Sequence, residues 1–220
     1  WQSIASSADG TKLAAVEYGG QIYTSVDAGE TWTARETSRL WYTIASSADG
    51  SKLVAGVPGG QLHTSSDGGQ TWTARDSARS WYNVASSADG NVLLAAAGGE
   101  QLYTSYDAGV TWTARDSNRL WFAVAMSADG TSMVASEYGG QIYTSVDAGV
   151  TWIPRESNRA WASLASSADG TKLVAVVFGG QIYTSADGGV TWFAQASSGN
   201  WIGVDASASG ETVAAIQAGG

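Results

Sequence analysis

Arginine and aromatic side chains recur at regular spacing in this sequence, and together they have the chemistry to bind a sugar or a carboxylate. An aromatic ring stacks on the apolar face of a sugar, and a guanidinium grips carboxylates or hydroxyls through parallel hydrogen bonds. The alternative is that each arginine only pairs with a nearby acid such as Glu36, as most surface arginines do. The candidate ligand-binding residues are Arg39, Arg79, Arg119, Arg159, Tyr18, Tyr138 and Phe178.

Catalytic chemistry is not supported by the pattern of carboxylates. Glu17 and Glu137 occupy equivalent repeat positions, but glycoside hydrolysis needs two carboxyl groups converging on one pocket, and nothing marks these two as a pair. We keep them only as candidate ligand-binding residues. His63 stands where other copies have Tyr, as at Tyr23, which indicates a substitution within a strand. No cluster has metal-ligand spacing and no Gly-rich stretch precedes a helix, so we expect neither an enzyme nor a cofactor.

The acidity of the chain comes largely from its turns. The net charge is −9, and half of the acidic residues are Asp in two recurring turns, SADG and SxDxG. A protein of this charge repels the phosphates of nucleic acid, which excludes nucleic acid as a partner class. No apolar run is long enough to predict a membrane span. The sequence does not assign a compartment, although we favour an extracellular or periplasmic one.

Tryptophan defines an internal repeat of 40 residues. Two series at this spacing together contain all 11 tryptophans, which indicates packing positions within a repeated unit. The two series are Trp1, Trp41, Trp81, Trp121, Trp161 and Trp201, and Trp32, Trp72, Trp112, Trp152 and Trp192.

Each repeat carries four strand signals separated by Gly-rich or Asp-Gly turns. In the first copy we predict strand A at 1–6, B at 11–18, C at 20–25 and D at 31–36. The A–B turn is SADG, where Asp supplies an Asx-type hydrogen bond and Gly takes the positive φ. Four short strands in about 40 residues are typical of one blade of a β-propeller.

The C–D turn reads S-x-D-x-G-x-T-W in all five complete copies, as in SVDAGETW at 25–32. It resembles the Asp-box, or bacterial neuraminidase repeat, of sialidases and other propellers. The resemblance implies a propeller fold and a structural role for the motif away from any active site. The residues concerned are Asp27, Asp67, Asp107, Asp147 and Asp187, then Gly29, Gly69, Gly109, Gly149 and Gly189, then Trp32, Trp72, Trp112, Trp152 and Trp192. We expect the Asp to accept turn amides, the Gly to take a special conformation and the Trp to enter the apolar layer between sheets.

The number of blades is ambiguous. Five complete repeats (1–40, 41–80, 81–120, 121–160 and 161–200) precede a half-repeat at 201–220 that contains only strands A and B. We favour one all-β propeller domain over 1–220, with six blades and an incomplete two-stranded last blade. Five blades with a tail, and an array or assembly that meets another chain at the unpaired edge, are the alternatives. Asp205 departs from the Ala of other copies, and we interpret it as a charge that blunts an exposed edge.

Function is expected on the face whose residues vary between copies. In a propeller blade the A–B and C–D turns lie at one end, here called the turn face, and the B–C turns and D–A segments lie at the other, called the loop face. The loop face varies and also receives the D–A segments, whose arginines make up eight of the 11 basic residues. We expect a non-catalytic, lectin-like module that binds a glycan or another ligand there. The alternatives are a structural propeller that acts through protein contacts or oligomerises through the half-blade edge, and a glycoside hydrolase remnant.

Overall fold

The computed structural model describes residues 1–195 and 198–219, and within them it contains strands and turns but no helix. The chain divides into two compact units. Unit 1 contains Trp1–Gly98 and Tyr103–Ala114, and unit 2 contains Gly99–Leu102 and Arg115–Gly220. Because the described residues form no helix, they include none that could cross a membrane. That all of 1–220 forms one domain stays a prediction.

The strands follow the predicted repeat. Each of the five complete copies has four strands, but strand D of the second copy and strand A of the third form one continuous strand. They are β1 Ser3–Ser6, β2 Leu13–Val16, β3 Ile22–Ser25, β4 Thr33–Arg35, β5 Thr43–Ser46, β6 Leu53–Gly56, β7 Pro58–Ser65, β8 Thr73–Ser86, β9 Leu93–Ala97, β10 Leu102–Ser105, β11 Thr113–Arg115, β12 Trp121–Met126, β13 Met133–Glu137, β14 Ile142–Ser145, β15 Ile153–Pro154, β16 Trp161–Ser166, β17 Leu173–Gly180, β18 Ile182–Ser185, β19 Phe193–Ala194, β20 Gly199–Ala206 and β21 Val213–Gln217. Strands β1 to β4 lie inside the four segments predicted for the first copy.

Three sheets are antiparallel meanders in chain order, whereas in a further one β17 pairs with β16, β18 and β20. One sheet runs β1-β2-β3-β4 and another runs β12-β13-β14-β15. Strand β8 continues from strand D of the second copy into strand A of the third, so those two copies share a seven-stranded sheet from β5 to β11. The half-repeat forms β20 and β21, as predicted.

Both kinds of Asp turn lie at the same end of the repeat. In the A–B turn the Gly10 amide donates to Ser7 O (3.0 Å), and Gly10 has a φ of +72°. The Asp9 carboxylate accepts the Thr11 amide at 3.0 Å. The Ala28 amide of the C–D turn donates to Thr11 O (2.9 Å), which ties the two turns together. The turn face is therefore confirmed within the repeat.

Successive repeats are joined through these turns. In unit 1 the Ala8 amide donates to Ala48 O, and the Ala48 amide donates to Ala88 O, each at 2.8 Å. Unit 2 repeats the arrangement from Ala128 to Ala168 (2.7 Å) and from Ala168 to Ala208 (2.8 Å). This bond satisfies a turn amide that no strand neighbour reaches.

The core lies between neighbouring sheets of each unit. In unit 1, Val16 and Ile22 of the first copy pack against Trp41, Ile44 and Leu53 of the second. The tryptophans that open the repeats are fully buried at Trp41, Trp81, Trp121 and Trp161. The fixed 40-residue spacing therefore places one large buried apolar side chain at the start of each of these four copies.

The tryptophans that end the C–D turns are less buried than expected. Trp32 is 38% exposed, so the prediction that it drops into the layer between sheets is wrong for this residue. Trp72, Trp112, Trp152 and Trp192 are half-buried, at the margin of the core. The indole N–H explains this position, because Trp152 Nε1 donates to Gly149 O at 3.0 Å and keeps the ring beside its own turn.

Candidate functional site

The Asp carboxylates of the C–D turns accept hydrogen bonds from their own turns. Asp147 accepts the Thr151 amide (2.9 Å), the Thr151 hydroxyl (2.7 Å) and the Ser145 hydroxyl (2.7 Å). These hydrogen bonds, led by that from the Thr151 hydroxyl, lower the pKa of Asp147 from 3.8 to about 2. The pKa values of Asp27, Asp67, Asp107 and Asp187 fall to about 2 in the same way. Such carboxylates stay ionised at neutral pH and are therefore poor proton donors.

Acid is therefore expected to destabilise the protein over a defined range. The turn carboxylates have folded pKa values near 2 and unfolded values near 3.8, so their contribution is complete above about pH 4 and is lost as the pH falls through about 2. Urea unfolding between pH 6 and pH 2 measures this. Asp147→Asn with Asp187→Asn should flatten the pH dependence, because two of the titrating groups are gone. A urea midpoint that stays constant down to pH 2 would contradict the assignment.

The loop face is assembled from B–C turns and D–A segments. The Gly19 amide donates to Arg39 O (3.0 Å), and the Arg39 amide donates to Gly20 O (2.9 Å). The Gln21 side-chain amide also donates to Glu36 O at 2.7 Å. The D–A segment is thus held against the B–C turn by its backbone.

The predicted arginines are already engaged within the protein. Each pairs with the acid three residues before it, at 3.3 Å for Arg39–Glu36, 3.5 Å for Arg79–Asp76, 3.6 Å for Arg119–Asp116 and 3.1 Å for Arg159–Glu156. Three also stack on a tyrosine, with 4.5 Å from Arg79 Cζ to the Tyr103 ring centre, and 4.7 Å for both Arg119–Tyr143 and Arg159–Tyr183. These contacts hold the guanidinium groups in place, and only their exposed N–H groups are left for a ligand. Ligand binding by these arginines stays a prediction.

The earlier arginine of the D–A segment points elsewhere. Arg35 Nε donates to Thr24 Oγ1 (3.1 Å), and Arg75 and Arg155 repeat this bond. Arg35 lines a groove of about 220 Å³ together with Lys12 and Asp67, where Asp67 belongs to the next C–D turn. The expectation that all the D–A arginines lie on the loop face is therefore wrong for these three, because a strand residue anchored on strand C directs its side chain towards the turn face.

The two candidate glutamates have partners within the protein, Glu17 in its own repeat and Glu137 in the preceding repeat. Glu17 Oε2 accepts the Tyr23 hydroxyl at 3.4 Å, and its carboxylate folds over Gly20. Glu137 lies 3.7 Å from Arg119. Neither is aimed at a second carboxylate by these contacts.

Aromatic rings are the exposed part of the loop face. Tyr18, Tyr138 and Phe178 are 56%, 48% and 47% exposed. Their backbones are fixed by the D–A segments, since Tyr18 bridges Leu40 and the Phe178 amide donates to Ala160 O at 2.9 Å. A ring on a fixed backbone loses little conformational entropy when a ligand stacks on it.

Further aromatic residues beside these were not predicted. Tyr42 and Tyr82 lie one residue after the repeat Trp, with ring centres 5.8 Å apart and edge to face. Burial, then the neighbouring Tyr82 and Tyr18, raise the pKa of Tyr42. In unit 2, the ring centre of Phe122 lies 5.6 Å from that of Tyr138 in the same repeat, with the two rings tilted. We call Tyr18, Tyr42 and Tyr82 the tyrosine surface.

The third copy gains an aromatic ring by a different route. Gly98 occupies the position of Tyr18, so the third copy has no aromatic residue at this position. The Tyr82 ring lies over Gly98, so closely that a Cβ there would be 2.1 Å from Tyr82 Cε2. The signal in the sequence was the second residue of each repeat, which varies as Gln2, Tyr42, Tyr82, Phe122, Ala162 and Ile202 beside an invariant Trp.

His63 belongs to the core of unit 1. It is buried, with its ring centre 4.9 Å from that of Trp41. Burial is the main cause that lowers its pKa, followed by the charge of Arg39. A neutral imidazole in a tyrosine position packs as the tyrosine does. Across the described residues, no group of three metal-binding side chains comes together.

The sequence matches no protein-family model and no curated protein sequence. Solved structures share its fold. An ancestral GH74 enzyme is 16% identical, with a TM-score of 0.77 over 99% of this chain and 35% of the enzyme. The chain thus spans about a third of the length of that enzyme. YCF48 bound to D1 peptide is 16% identical, with a TM-score of 0.69 over 93% of this chain and 71% of YCF48.

A third match is the β-propeller domain of Cps50 (Swd1) from Myceliophteria thermophila, 12% identical, with a TM-score of 0.74 over 98% of this chain and 80% of that domain. At these identities the likeness concerns the fold alone. Together with the antiparallel four-stranded repeats, it assigns this chain to the β-propeller fold, while the number of blades stays a prediction. Propellers of this fold carry unrelated functions.

Proposed function

We propose that this chain is a non-catalytic binding module of Asp-box repeats, lectin-like, that holds a glycan on its loop face. The tyrosine surface carries the proposal. It presents three rings with hydroxyl groups, from Tyr82 in β8, from Tyr42 just before β5 and from Tyr18 in the B–C turn of the first copy. Tyrosine combines a flat apolar face with a polar tip, which matches the alternation of C–H faces and hydroxyls on a sugar.

The surrounding charges support binding without catalysis. The carboxylates of the turn face accept hydrogen bonds from their own turns, Glu17 accepts the Tyr23 hydroxyl, and Glu137 pairs with Arg119 of the preceding repeat. An acid and a base that share one substrate would each need an open carboxyl group aimed at it. The exposed N–H groups of Arg39 and Arg79 then add hydrogen-bond donors beside the rings.

A glycan array followed by titration calorimetry tests the proposal. Tyr42→Ala and Tyr18→Ala should each weaken binding by about 1–2 kcal/mol, roughly 5- to 30-fold, because each removes a stacking ring. Tyr106→Ala is the matched control, since Tyr106 is an exposed tyrosine of a C–D turn on the turn face. Unchanged affinity in both loop-face variants would place the site elsewhere, and an array without hits would contradict a lectin role.

A protein partner is the second candidate. YCF48, which shares the fold, has been solved with a peptide bound, and exposed tyrosines and arginines are also enriched where proteins bind each other. If the glycan array gives no hit, a partner protein that binds the wild-type chain but not the tyrosine variants would favour this function.

A further inference from the structure

A polar groove lies on the turn face of unit 1, between the first and second copies. It encloses about 220 Å³, and its wall includes Lys12 and Arg35 of the first copy and Gly50, Gly68 and Gln70 of the second. This volume is below the roughly 300–1,000 Å³ of pockets for drug-sized ligands. The groove therefore has room for a ligand about the size of one sugar ring, at the end of the repeat opposite to the tyrosine surface.

Arg35 brings uncommitted hydrogen-bond donors to this groove. Its Nε donates to Thr24 Oγ1 at 3.1 Å, and Thr24 also lines the groove. This is the one side-chain hydrogen bond of Arg35 to the described residues, and none of their acids pairs with it. Its terminal amino groups are not sealed from solvent. By contrast, Arg39 of the same segment pairs with Glu36 at 3.3 Å. The Arg35 guanidinium is therefore oriented by the protein but lacks an anionic partner.

Two further side chains of the wall have hydrogen-bonding capacity to spare. Lys12 Nζ donates to Asp49 O at 2.8 Å, which uses one of its three N–H donors. Gln70 Nε2 donates to Asp67 O at 3.0 Å, and its Oε1 receives no donor from the described residues. A guanidinium and an ammonium together suit a carboxylate, and a free amide oxygen suits a hydroxyl group.

The lining of the groove is positive in a chain whose net charge is −9. Its ionisable side chains are Lys12, Arg35 and Asp67, which sum to +1. The Asp67 carboxylate accepts hydrogen bonds within its own turn. Asp49, next to Lys12, does the same and is not part of the lining. A single positive charge balances a monoanion and not a phosphate dianion.

The equivalent position in unit 2 lacks these features. The groove between the fourth and fifth copies encloses about 20 Å³, which is room for about one water molecule. Ser132 stands there in the position of Lys12. Arg155, the equivalent of Arg35, keeps its bond to Thr144 Oγ1 at 2.9 Å but does not line this space. The open, positive groove of unit 1 is therefore not a simple consequence of the repeat.

We propose that the groove between the first and second copies binds a small hydroxylated monocarboxylate of the sugar-acid class. The carboxylate lies on Arg35 and Lys12, because a guanidinium can donate to both of its oxygens and the ammonium adds a second positive charge. A hydroxyl group of the ligand donates to Gln70 Oε1. This site does not depend on ligand binding at the loop face.

Titration of the whole chain with glucuronate, followed by heteronuclear NMR, tests the site. The amide signals of Gly50 and Gly68, which line the groove, should shift and saturate. Those of Gly170 and Gly188, their equivalents in unit 2, should not shift. Glucose, which lacks the carboxylate, should bind at least about tenfold more weakly. Glucose 6-phosphate should also bind more weakly than glucuronate, since its dianion exceeds the charge of the lining.

Two pairs of matched variants assign the contacts. Arg35→Gln should weaken glucuronate binding roughly 10- to 100-fold, as expected for the loss of charge-assisted hydrogen bonds. Arg155→Gln is its control, because Arg155 makes the same bond to a strand C threonine away from the groove. Lys12→Gln should weaken binding by a smaller factor. Lys52→Gln is its control, since Lys52 Nζ donates to Asp89 O at 2.9 Å in the same way outside the groove.

Circular dichroism should show that all four variants keep their strands, and Lys12→Gln keeps the test possible if Arg35→Gln does not fold. The absence of shifts at Gly50 and Gly68 up to the highest soluble glucuronate concentration overturns the proposal. Equal losses for Arg35→Gln and Arg155→Gln overturn it as well, as does glucose or glucose 6-phosphate binding as tightly as glucuronate. Tyr42→Ala should leave these shifts unchanged, so a failure of the loop-face proposal remains distinguishable from a failure of this one.

Discussion

Replacing Trp41 by alanine is expected to lower the free energy of unfolding by about 3–5 kcal/mol, as for other fully buried aromatic residues. Trp41 is 0% exposed and packs with Val16, Ile22 and Leu53 in the core of unit 1. Its Nε1 donates to Thr37 O at 3.2 Å. The change leaves a cavity and a carbonyl that loses its donor, so both packing and hydrogen bonding suffer. Denaturant unfolding followed by circular dichroism measures the effect.

Trp1 provides a matched control for this prediction. It occupies the same repeat position and meets Tyr23 edge to face at 5.1 Å, yet it is 79% exposed. Trp1→Ala should change the free energy of unfolding by no more than about 0.5 kcal/mol, as is usual for exposed positions. Trp41→Phe should lie between the two and keeps the comparison possible if Trp41→Ala does not fold. Equal losses for Trp1→Ala and Trp41→Ala would contradict the packing described here.

The repeat could be predicted because its signals are local and are used five times. The A–B turn needs an acceptor for the Thr11 amide and a residue tolerant of positive φ, and Asp9 and Gly10 are recognisable in the sequence for those reasons. The tryptophan period similarly fixes which strands must be buried. The all-β class and the antiparallel order follow from these signals alone.

The direction of side chains could not be predicted in the same way. Arg35 and Arg39 lie four residues apart in one segment, and sequence alone placed both on the loop face. Arg35 sits in β4 and is anchored on Thr24, whereas Arg39 sits in the loop and pairs with Glu36. Whether an arginine side chain points away from the loop face depends on a hydrogen bond to another strand.

The aromatic surface escaped prediction because it joins different repeat positions. Tyr82 compensates for Gly98 across two strands, so a comparison of equivalent positions counts the third copy as lacking a ring. The number of blades could not be predicted either, for a related reason. It depends on how the half-repeat is completed, and neither the 40-residue period nor the contacts within each unit determine that.

Gly109→Ala is expected to cost about 2–5 kcal/mol, because backbone strain and overpacking add at this position. Gly109 has a φ of +84°, and an L-residue there costs about 1–2 kcal/mol. A Cβ would also lie 2.6 Å from Thr64 Cγ2 and 3.1 Å from Leu93 Cδ1, and overpacking of this kind costs about 1–3 kcal/mol. Thr64 cannot rotate away, since its hydroxyl accepts Arg75 Nε at 3.0 Å and its branched side chain is stiff.

Two other glycines separate these contributions when measured by the same denaturant unfolding. Gly99 has a φ of +83° with open space at the Cβ position, so Gly99→Ala should show the strain alone, about 1–2 kcal/mol. Gly29 belongs to the first C–D turn, has a φ of +91°, and meets only Leu13 Cδ1 at 3.2 Å and its own Trp32. Gly29→Ala should therefore fall between the other two. If Gly109→Ala cost no more than Gly99→Ala, the contact between the C–D turn and Thr64 of the preceding repeat would have no energetic weight, and the Asp-box glycine would serve its own turn only.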